Sequence, residues 1–539
     1  MPGSITVQGL ATSRKSPGVF LAVVLGGTPT SAGAVSKKIL LLGNKITTAL
    51  TDGGGAAPAF TVAAGTQANA APVFLPSADE AATLFGRGSE IHRMSKAVFA
   101  QYPDALVYGC SVAEAGSRAD GVLTFANSAT AAFTVRLTIA GKVIDVPVAS
   151  GDSVTAIATA CASAILDEPD LPVTAQYALG VLTVTAKHPG PRGNGIALRA
   201  QFINSAGTAT EITTSAATSP GATTGQLSSV ATAESTYLLN GGATQDDVTA
   251  ALAAIAATKY DRIVCAPRDA TNIDLVAAQV DSMAGVTTQL RQQFVYGSID
   301  TYANTVTLAT GRNDSRGQCA WHYNSPVPAE EVAAQVAAAR LIGDGAVGGL
   351  RAGEASRPSA NLDGTLLATV LAQPHVSEQP TSTEIENALN NGITPLQPSS
   401  ANPGYAEIVR SITTRSLDGA GANSYAVIDT STVTVCDHVA DDLQADLATV
   451  FAAKNLAADS ADGSPPTAAH VVTPSMIKAR IAYKLGLYEE EGNTRDAAAN
   501  MAQLAVVESV ASPGRADCEI PVEPVTGLHI IGGNVRQVS

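Results

Sequence analysis

The sequence predicts an α/β core domain built on a layered, mostly parallel sheet, with a small α+β domain inserted into it and a C-terminal α+β domain carrying extended terminal arms. Three observations point there. Short continuous apolar runs such as KKILLLGN (residues 37–44) and ALVYGCSV (105–112) are of the kind buried on both faces of a parallel sheet. From residue 244 strand-like and helix-like stretches alternate, as in a doubly covered sheet. Between about 118 and 225 the texture changes to hairpins around one amphipathic helix.

At 539 residues the chain exceeds one compact core, and roughly 150 residues per domain suggests three or four units. The expected division is an N-terminal arm over 1–30, a core domain over 31–117 and 227–400, an inserted β-rich α+β domain over 118–226, and a C-terminal domain with its arm over 401–539.

In the core, Ser77 and Glu80 form a capping box that starts a helix in SADEAATLF; Gly86 stops it and Ser89 caps the next. Ile91, Met94 and Val98 then make the buried face of that second helix. In the insert, TVRLTIAGKVIDVPV offers two strands around Ala140-Gly141, and VTAQYALGVLTVTAK a second hairpin. Between them GDSVTAIATACASAIL is a helix through Val154, Ile157 and Cys161, and the Ser/Thr/Ala/Gly-rich stretch 205–226 reads as a loop or linker.

Returning to the core, TQDDVTAALAAIAATKY puts Val248, Leu252 and Ile255 on one helical face ahead of the strand DRIVCAP. NIDLVAAQVDSMAG repeats the pattern with Ile273, Val276, Val280 and Met283 before QFVYGS, and GQCAWHY precedes the helix PAEEVAAQVAAARLIG. LQPSSANPG (396–404) marks the boundary to the C-terminal domain, which opens on a strand in EIVRSITTRS. Val439, Leu443, Leu447 and Val450 form one helical stripe; a second helix has Thr473 as N-cap, Pro474 at its first position, and Ile477, Ile481, Leu485 and Tyr488 on one face. The end, CEIPVEPVTGLHIIGGNVRQVS, is strand-like and leaves an extended tail.

Composition narrows the function. Formal net charge is −15, and the 32 basic residues form no block, which argues against a surface built to neutralise nucleic-acid phosphates. Cys110, Cys161, Cys265, Cys319, Cys436 and Cys518 lie far apart with no C-x-x-C pair, so they read as reduced, mostly buried thiols made in a cytoplasm. Arg14 and Lys15 before GVFLAVVLGG imitate a secretory signal, which keeps an exported surface or adhesion protein with β-rich modules as the rival reading; the glycines and Pro17 favour a β-strand instead. No apolar stretch approaches the ~20 residues of a membrane span, so no membrane insertion is expected.

Candidate chemistry is sparse. Gly86-Arg87-Gly88 lacks a third glycine, and Ile91 stands where a dinucleotide fingerprint wants one, so the stretch reads as a helix-to-helix corner. His92, His188, His322, His375, His438, His470 and His529 are scattered, and no G-x-S-x-G elbow presents a nucleophile. Asp437-His438 with Asp441 and Asp442 has oxygen-ligand character but reads as a solvated acidic helix face. No catalytic, cofactor-binding or metal residue is expected, and no cofactor. Lys478, Arg480 and Lys484 form a modest basic group suited to an acidic partner surface. PGVFLAVVL and LHIIGGNVRQV are β-prone segments near the two ends, free to add strands to a neighbour's sheet edge.

Several stretches together resemble the contractile tail sheath proteins of bacteriophages, particularly the Mu-like branch: SPGVFLAV (16–23), KKILLLGN, SADEAATLFGRGSEIHRMSKAVFAQYPDALVYGCSV (77–112), GVLTVTAKHPGPRGNGIALR, LNGGATQDDVTAALAAIAATKYDRIVCAP (239–267), TEIENALNNGITPL (383–396), VVTPSMIKARI (471–481) and LHIIGGNVRQV (528–538). The resemblance implies a non-enzymatic subunit that polymerises with itself as stacked sixfold rings around a tail tube. Contraction of that sheath drives the tube through the host envelope for genome delivery. It implies a core of subtilisin-like topology without a protease site, and a virion tail assembled in the bacterial host cytoplasm. The implied partners are further copies of the chain, the tail tube protein, and baseplate and tail terminator proteins, with no direct nucleic acid. It maps inter-subunit arms onto Val19, Phe20, Val23 and Leu25 and onto Leu528, Ile530, Ile531 and Val535, and a candidate tube contact onto Lys478, Arg480 and Lys484.

Overall fold

The computed structural model describes residues 19, 21, 37–51, 61–219, 223–233, 236–345, 357–373, 376–418, 420–422, 424, 427–460, 465–510 and 512–533. Its centre is a nine-stranded sheet in the order Thr365–Leu371, Tyr405–Ile408, Ile393–Pro398, Gly317–Trp321, Gln293–Ser298, Arg262–Cys265, Lys38–Gly43, Leu106–Ser111, Val73–Leu75. The strands from Ile393–Pro398 to Leu106–Ser111 are all parallel, as their apolar runs predict. Antiparallel strands close both edges.

The pleat of the first strand explains the two helical layers. Ile39 and Leu41 face a layer holding Met94, Val98, Val332 and Val336, while Leu40 and Leu42 face Leu252, Ile255, Ile273 and Val276. The helices Glu90–Gln101 and Ala329–Gly345 make the first layer; Thr249–Ile255 and Ala270–Ala284 make the second. Packing is close enough to need glycine: a Cβ on Gly297 would lie 2.0 Å from the Ala329 carbonyl oxygen.

Several elements escape the sequence reading, four of them prominent. The helix Tyr302–Thr310 and the strands Thr365–Leu371 and Ile393–Pro398 complete the core, and Arg118–Phe125 opens the insert. The last of these alternates cleanly between buried and accessible positions, but Arg118, Asp120 and Gly121 dilute its apolar signal. Met283, expected on the buried face of its helix, is only partly buried.

The insert has its own core, which runs from Ala119 to Leu239. A five-stranded and a four-stranded antiparallel sheet enclose it together with the helix Val154–Leu166. The hairpin at Ala140-Gly141 has φ of 49° and 82°, and that at Leu179-Gly180 has 47° and 84°, the paired positive values of a two-residue turn that follows strand twist. The stretch 205–226, expected to be a loop or linker, instead carries Ala209–Glu211, Ala217–Thr218 and the start of Thr224–Ser228. Ala209–Glu211 and Ala217–Thr218 pair with nearby strands, Glu211 with Gln201 and Ala217 with Gly225, whereas Thr224–Ser228 has a remote partner: Gln226 pairs with Thr124. Local composition could not supply that pairing. Bridges Ala113↔Asp247, Ser117↔Ala243 and Asp120↔Asn240 zip the two chain crossings into the insert together.

Beyond the insert and core, the helices Thr430–Val450 and Pro474–Glu490 pack through Val435, Val439, Leu443 and Leu447 against Ile481, Leu485 and Tyr488. Two expectations fail here. Val450, at the frayed helix end, is 39% exposed rather than on the buried stripe. EIVRSITTRS does not open a separate sheet: Tyr405–Ile408 pairs with Ile393–Pro398 and Thr365–Leu371 in the large sheet. The six cysteines are free, four of them buried.

Candidate functional site

The corner at 84–94 is built as its residues dictate. Of the expected capping box only one half forms, Ser77 Oγ accepting the Glu80 amide at 3.2 Å; Gly86 ends the first helix at φ 89°, and Ser89 Oγ accepts the His92 amide at 3.2 Å. The amide of Gly88, which a phosphate loop would offer to an anion, donates to His92 Nδ1 at 2.9 Å within the corner. Arg87 Nε donates to Asp170 Oδ1 at 2.7 Å and Lys96 Nζ to Asp170 Oδ2 at 2.5 Å, so the corner is where the core grips the insert. Lys187 strengthens the seam by donating to the carbonyls of Pro169 (2.6 Å) and Arg87 (3.2 Å). Burial, helped by the neighbouring Arg93 charge and only partly opposed by Asp170, pulls its ammonium pKa down to about 7.

The carboxyl ends of Lys38–Gly43 and Arg262–Cys265 form the place where strand order reverses, the usual ligand crevice of an open α/β sheet. Here the chain fills it with its own guanidinium. Arg192, from the turn Pro191–Gly195 of the insert, donates Nε to Glu90 Oε1 at 2.8 Å and Nη2 to Glu90 Oε2 at 2.9 Å, and also reaches Asp246. Glu90 Oε2 accepts the Asn44 amide at 2.8 Å; Asp246 accepts the Ala115 amide at 2.9 Å and Asn44 Nδ2 at 3.0 Å. All of these side chains are buried. Burial opposes ionisation of Glu90, but Arg192 and the Asn44 amide hold its pKa at about 2. Beside them Arg93 pairs with Glu330 at 2.9 Å and with Glu331. The arrangement joins the insert to the core through side chains that are bonded to one another.

The expected acidic helix face is not solvated at its first residue. Asp437 is buried and takes both prongs of Arg316, at 2.7 and 2.8 Å, and burial lowers the His438 pKa to about 3. Among the described residues no group of three or more His, Cys, Asp or Glu could hold a metal, and no helix is long and apolar enough to cross a membrane.

Of the basic group, Arg480 is bidentate to Asp446 (2.8 and 2.5 Å) and Lys484 pairs with Asp442 at 2.5 Å, so both are held by the neighbouring helix of the same chain. Lys478 is exposed.

The chain ends have defined roots. Gln289 Nε2 donates to the Val19 carbonyl at 3.1 Å and Arg291 Nη2 to that of Leu21 at 2.5 Å, and both apolar side chains rest on the C-terminal cluster. Phe20, Val23 and Leu25 lie outside the described residues, as does Val535. At the other end the Val525 amide donates to the Asn493 carbonyl at 3.0 Å. His529 Nδ1 then meets Asp363 Oδ2 at 2.5 Å, and its Nε2 lies 3.5 Å from Asp429 Oδ2. Around that histidine Leu528, Ile530 and Ile531 are 72%, 85% and 85% exposed, the pattern of an apolar segment that wants a partner. Sequence reasoning missed Glu90, Arg192, Asp246, Asp363 and Asp429; a lone arginine in the turn PRGNG carries no periodic signal.

No family model matches the chain. It is 24% identical over 481 residues to the Mu-like prophage FluMu tail sheath protein of Haemophilus influenzae, covering 88% of this chain and 87% of that protein. The chain is similar to a Mu-like tail sheath protein along nearly its whole length. Among solved structures it matches a sheath tail protein of Listeria innocua with a TM-score of 0.42 and 12% identity, over 89% of this chain and 90% of the other. The similarity to a tail sheath protein is to a structural component rather than an enzyme.

Proposed function

We propose that the chain is the structural subunit of a contractile tail sheath, polymerising as stacked sixfold rings around a tail tube and contracting to drive the tube through the host envelope for genome delivery. The observation that carries this reading is similarity to a Mu-like tail sheath protein along nearly the whole chain. Contraction then works by rearranging packed subunits, without nucleotide hydrolysis. This accords with a sheet crevice filled by Arg192, Glu90 and Asp246.

The domains follow the division 1–30, 31–117 with 227–400, 118–226 and 401–539, except that the insert extends to Leu239 and the core sheet takes in Tyr405–Ile408, the core having subtilisin-like topology without its chemistry. The segments 19–25 and 528–538 act as arms that add strands to neighbouring subunits, which keeps main-chain hydrogen bonds intact while domains shift. The exposed Leu528, Ile530 and Ile531 support this. So does the two-stranded sheet Ala505–Glu508 with Ala516–Glu519, which has no further strand among the described residues. The C-terminal domain faces the tube through the helix bearing Lys478, Arg480 and Lys484, and the sheath ends meet baseplate and tail terminator proteins. Assembly occurs in the bacterial host cytoplasm, and the product is the virion tail. Electron microscopy of purified protein tests the reading: rings or tubes are expected, and a chain that stays monomeric at high concentration with or without tail tube protein counts against it.

A further inference from the structure

Residues 528–533 combine two features that rarely share one short segment: large apolar side chains in water and one side chain tied down by charge. His529 is only 17% exposed and sits between carboxylates from separate elements. Asp363 lies two residues before the edge strand Thr365–Leu371 of the core sheet, and Asp429 is the residue before the helix Thr430–Val450 of the C-terminal domain. Arg410, just after the strand Tyr405–Ile408, takes both oxygens of Asp429 at 2.8 and 3.0 Å and is itself influenced by Glu386 of the helix Ser382–Asn390. One imidazole thus touches the core sheet and the C-terminal helix pair at their junction, next to residues whose apolar side chains are free.

We infer that His529 is the positioning residue of the C-terminal arm, clipping the chain to the seam between core and C-terminal domain so that Ile530 and Ile531 are presented to a second copy of this chain from a fixed point. The inference rests on the reading of 528–538 as an arm. Without the clip, the described chain beyond Val525, which has no ladder partner of its own, would leave the seam and spend its contacts on a disordered ensemble. Hydrogen bonding to Asp429 and Asp363 raises the imidazole pKa above its ordinary value near 6.5. A raised folded-state pKa means the clip contributes fully below about 6.5 and weakens as pH rises through the raised value.

Hydrogen exchange on the full-length subunit, corrected for intrinsic rates, tests this at pH 6 and pH 8. In the wild-type chain protection of the 520–533 region should fall several-fold on going to the higher pH. His529→Gln should lose about tenfold of that protection at pH 6 and show no pH dependence. Asp363→Asn, which leaves the tail sequence intact, should lose part of that protection and keep only a weaker pH dependence through Asp429. Wild-type protection in His529→Gln, or a pH dependence that persists there, overturns the inference. Truncation after residue 529 followed by electron microscopy separates this from the arm itself: tubes formed without the tail sink the arm, whereas tubes lost on truncation with protection unchanged in His529→Gln sink only the anchor.

Discussion

Arg192 and Glu90 form a two-pronged ion pair, Nε to Oε1 at 2.8 Å and Nη2 to Oε2 at 2.9 Å, that joins the inserted domain to the helix Glu90–Gln101 of the core. Both residues are buried, so the pair is worth less as net stability than as a constraint on how the two domains sit.

Removing one partner strands the other. Arg192→Met should cost about 3–5 kcal/mol, because Glu90 and Asp246 remain buried without their cation. Arg192→Lys should recover little of that, since a point charge cannot engage both oxygens of Glu90. Urea denaturation measures both, and a loss below 1 kcal/mol in Arg192→Met would refute the role given to the cluster.

Lys187 gives a pH signature of its own. Its pKa of about 7 in the fold lies below its unfolded value near 10.4, so the unfolded chain binds an extra proton between those limits. Stability should therefore rise with pH from about 7 towards 10, by up to ~1.4 kcal/mol per unit from this residue. Lys187→Met should reduce the slope over that window; an identical slope in both proteins would show that the ammonium is not desolvated.

Two glycines should behave differently for a stated geometric reason. Gly297→Ala puts a methyl 2.0 Å from the Ala329 carbonyl oxygen, and backbone on both sides leaves nothing to yield, so the variant should cost ~3 kcal/mol or more. Gly364 has φ +68° and open space around it, and Gly364→Ala should cost only ~1–2 kcal/mol of backbone strain. Thermal melts rank them.

The basic helix face can be divided by charge reversal. Lys478→Glu, at an exposed position, should change stability by no more than ~0.5 kcal/mol while weakening co-assembly with the tail tube protein. Arg480→Glu also opposes Asp446 and should cost ~1 kcal/mol in the isolated subunit. Equal co-assembly of wild type and Lys478→Glu would remove that residue from the tube contact.

The grip on the insert is shared at its surface. Arg87→Ala should cost under ~1 kcal/mol, because Arg87 is half exposed and Lys96 still holds Asp170. Domain orientation followed by small-angle scattering should be unchanged in Arg87→Ala and altered in Arg192→Met.

Periodicity alone determined much of this protein. Apolar runs buried on both faces, such as Ile39 to Leu42, state a parallel sheet, and the caps at Ser77 and Ser89, with Pro474, state where helices begin. These signals are local, and the physics behind them acts within one or two turns. What only the tertiary structure decided is pairing across long separations. Tyr405–Ile408 joined the core sheet, the strand Thr224–Ser228 at the end of the stretch 205–226 found Arg118–Phe125, and Asp437 found Arg316 instead of water. Arg192 found Glu90 and Asp246, and His529 found Asp363 and Asp429, for the same reason. A charge's role depends on what burial brings beside it, and no spacing within the chain encodes that.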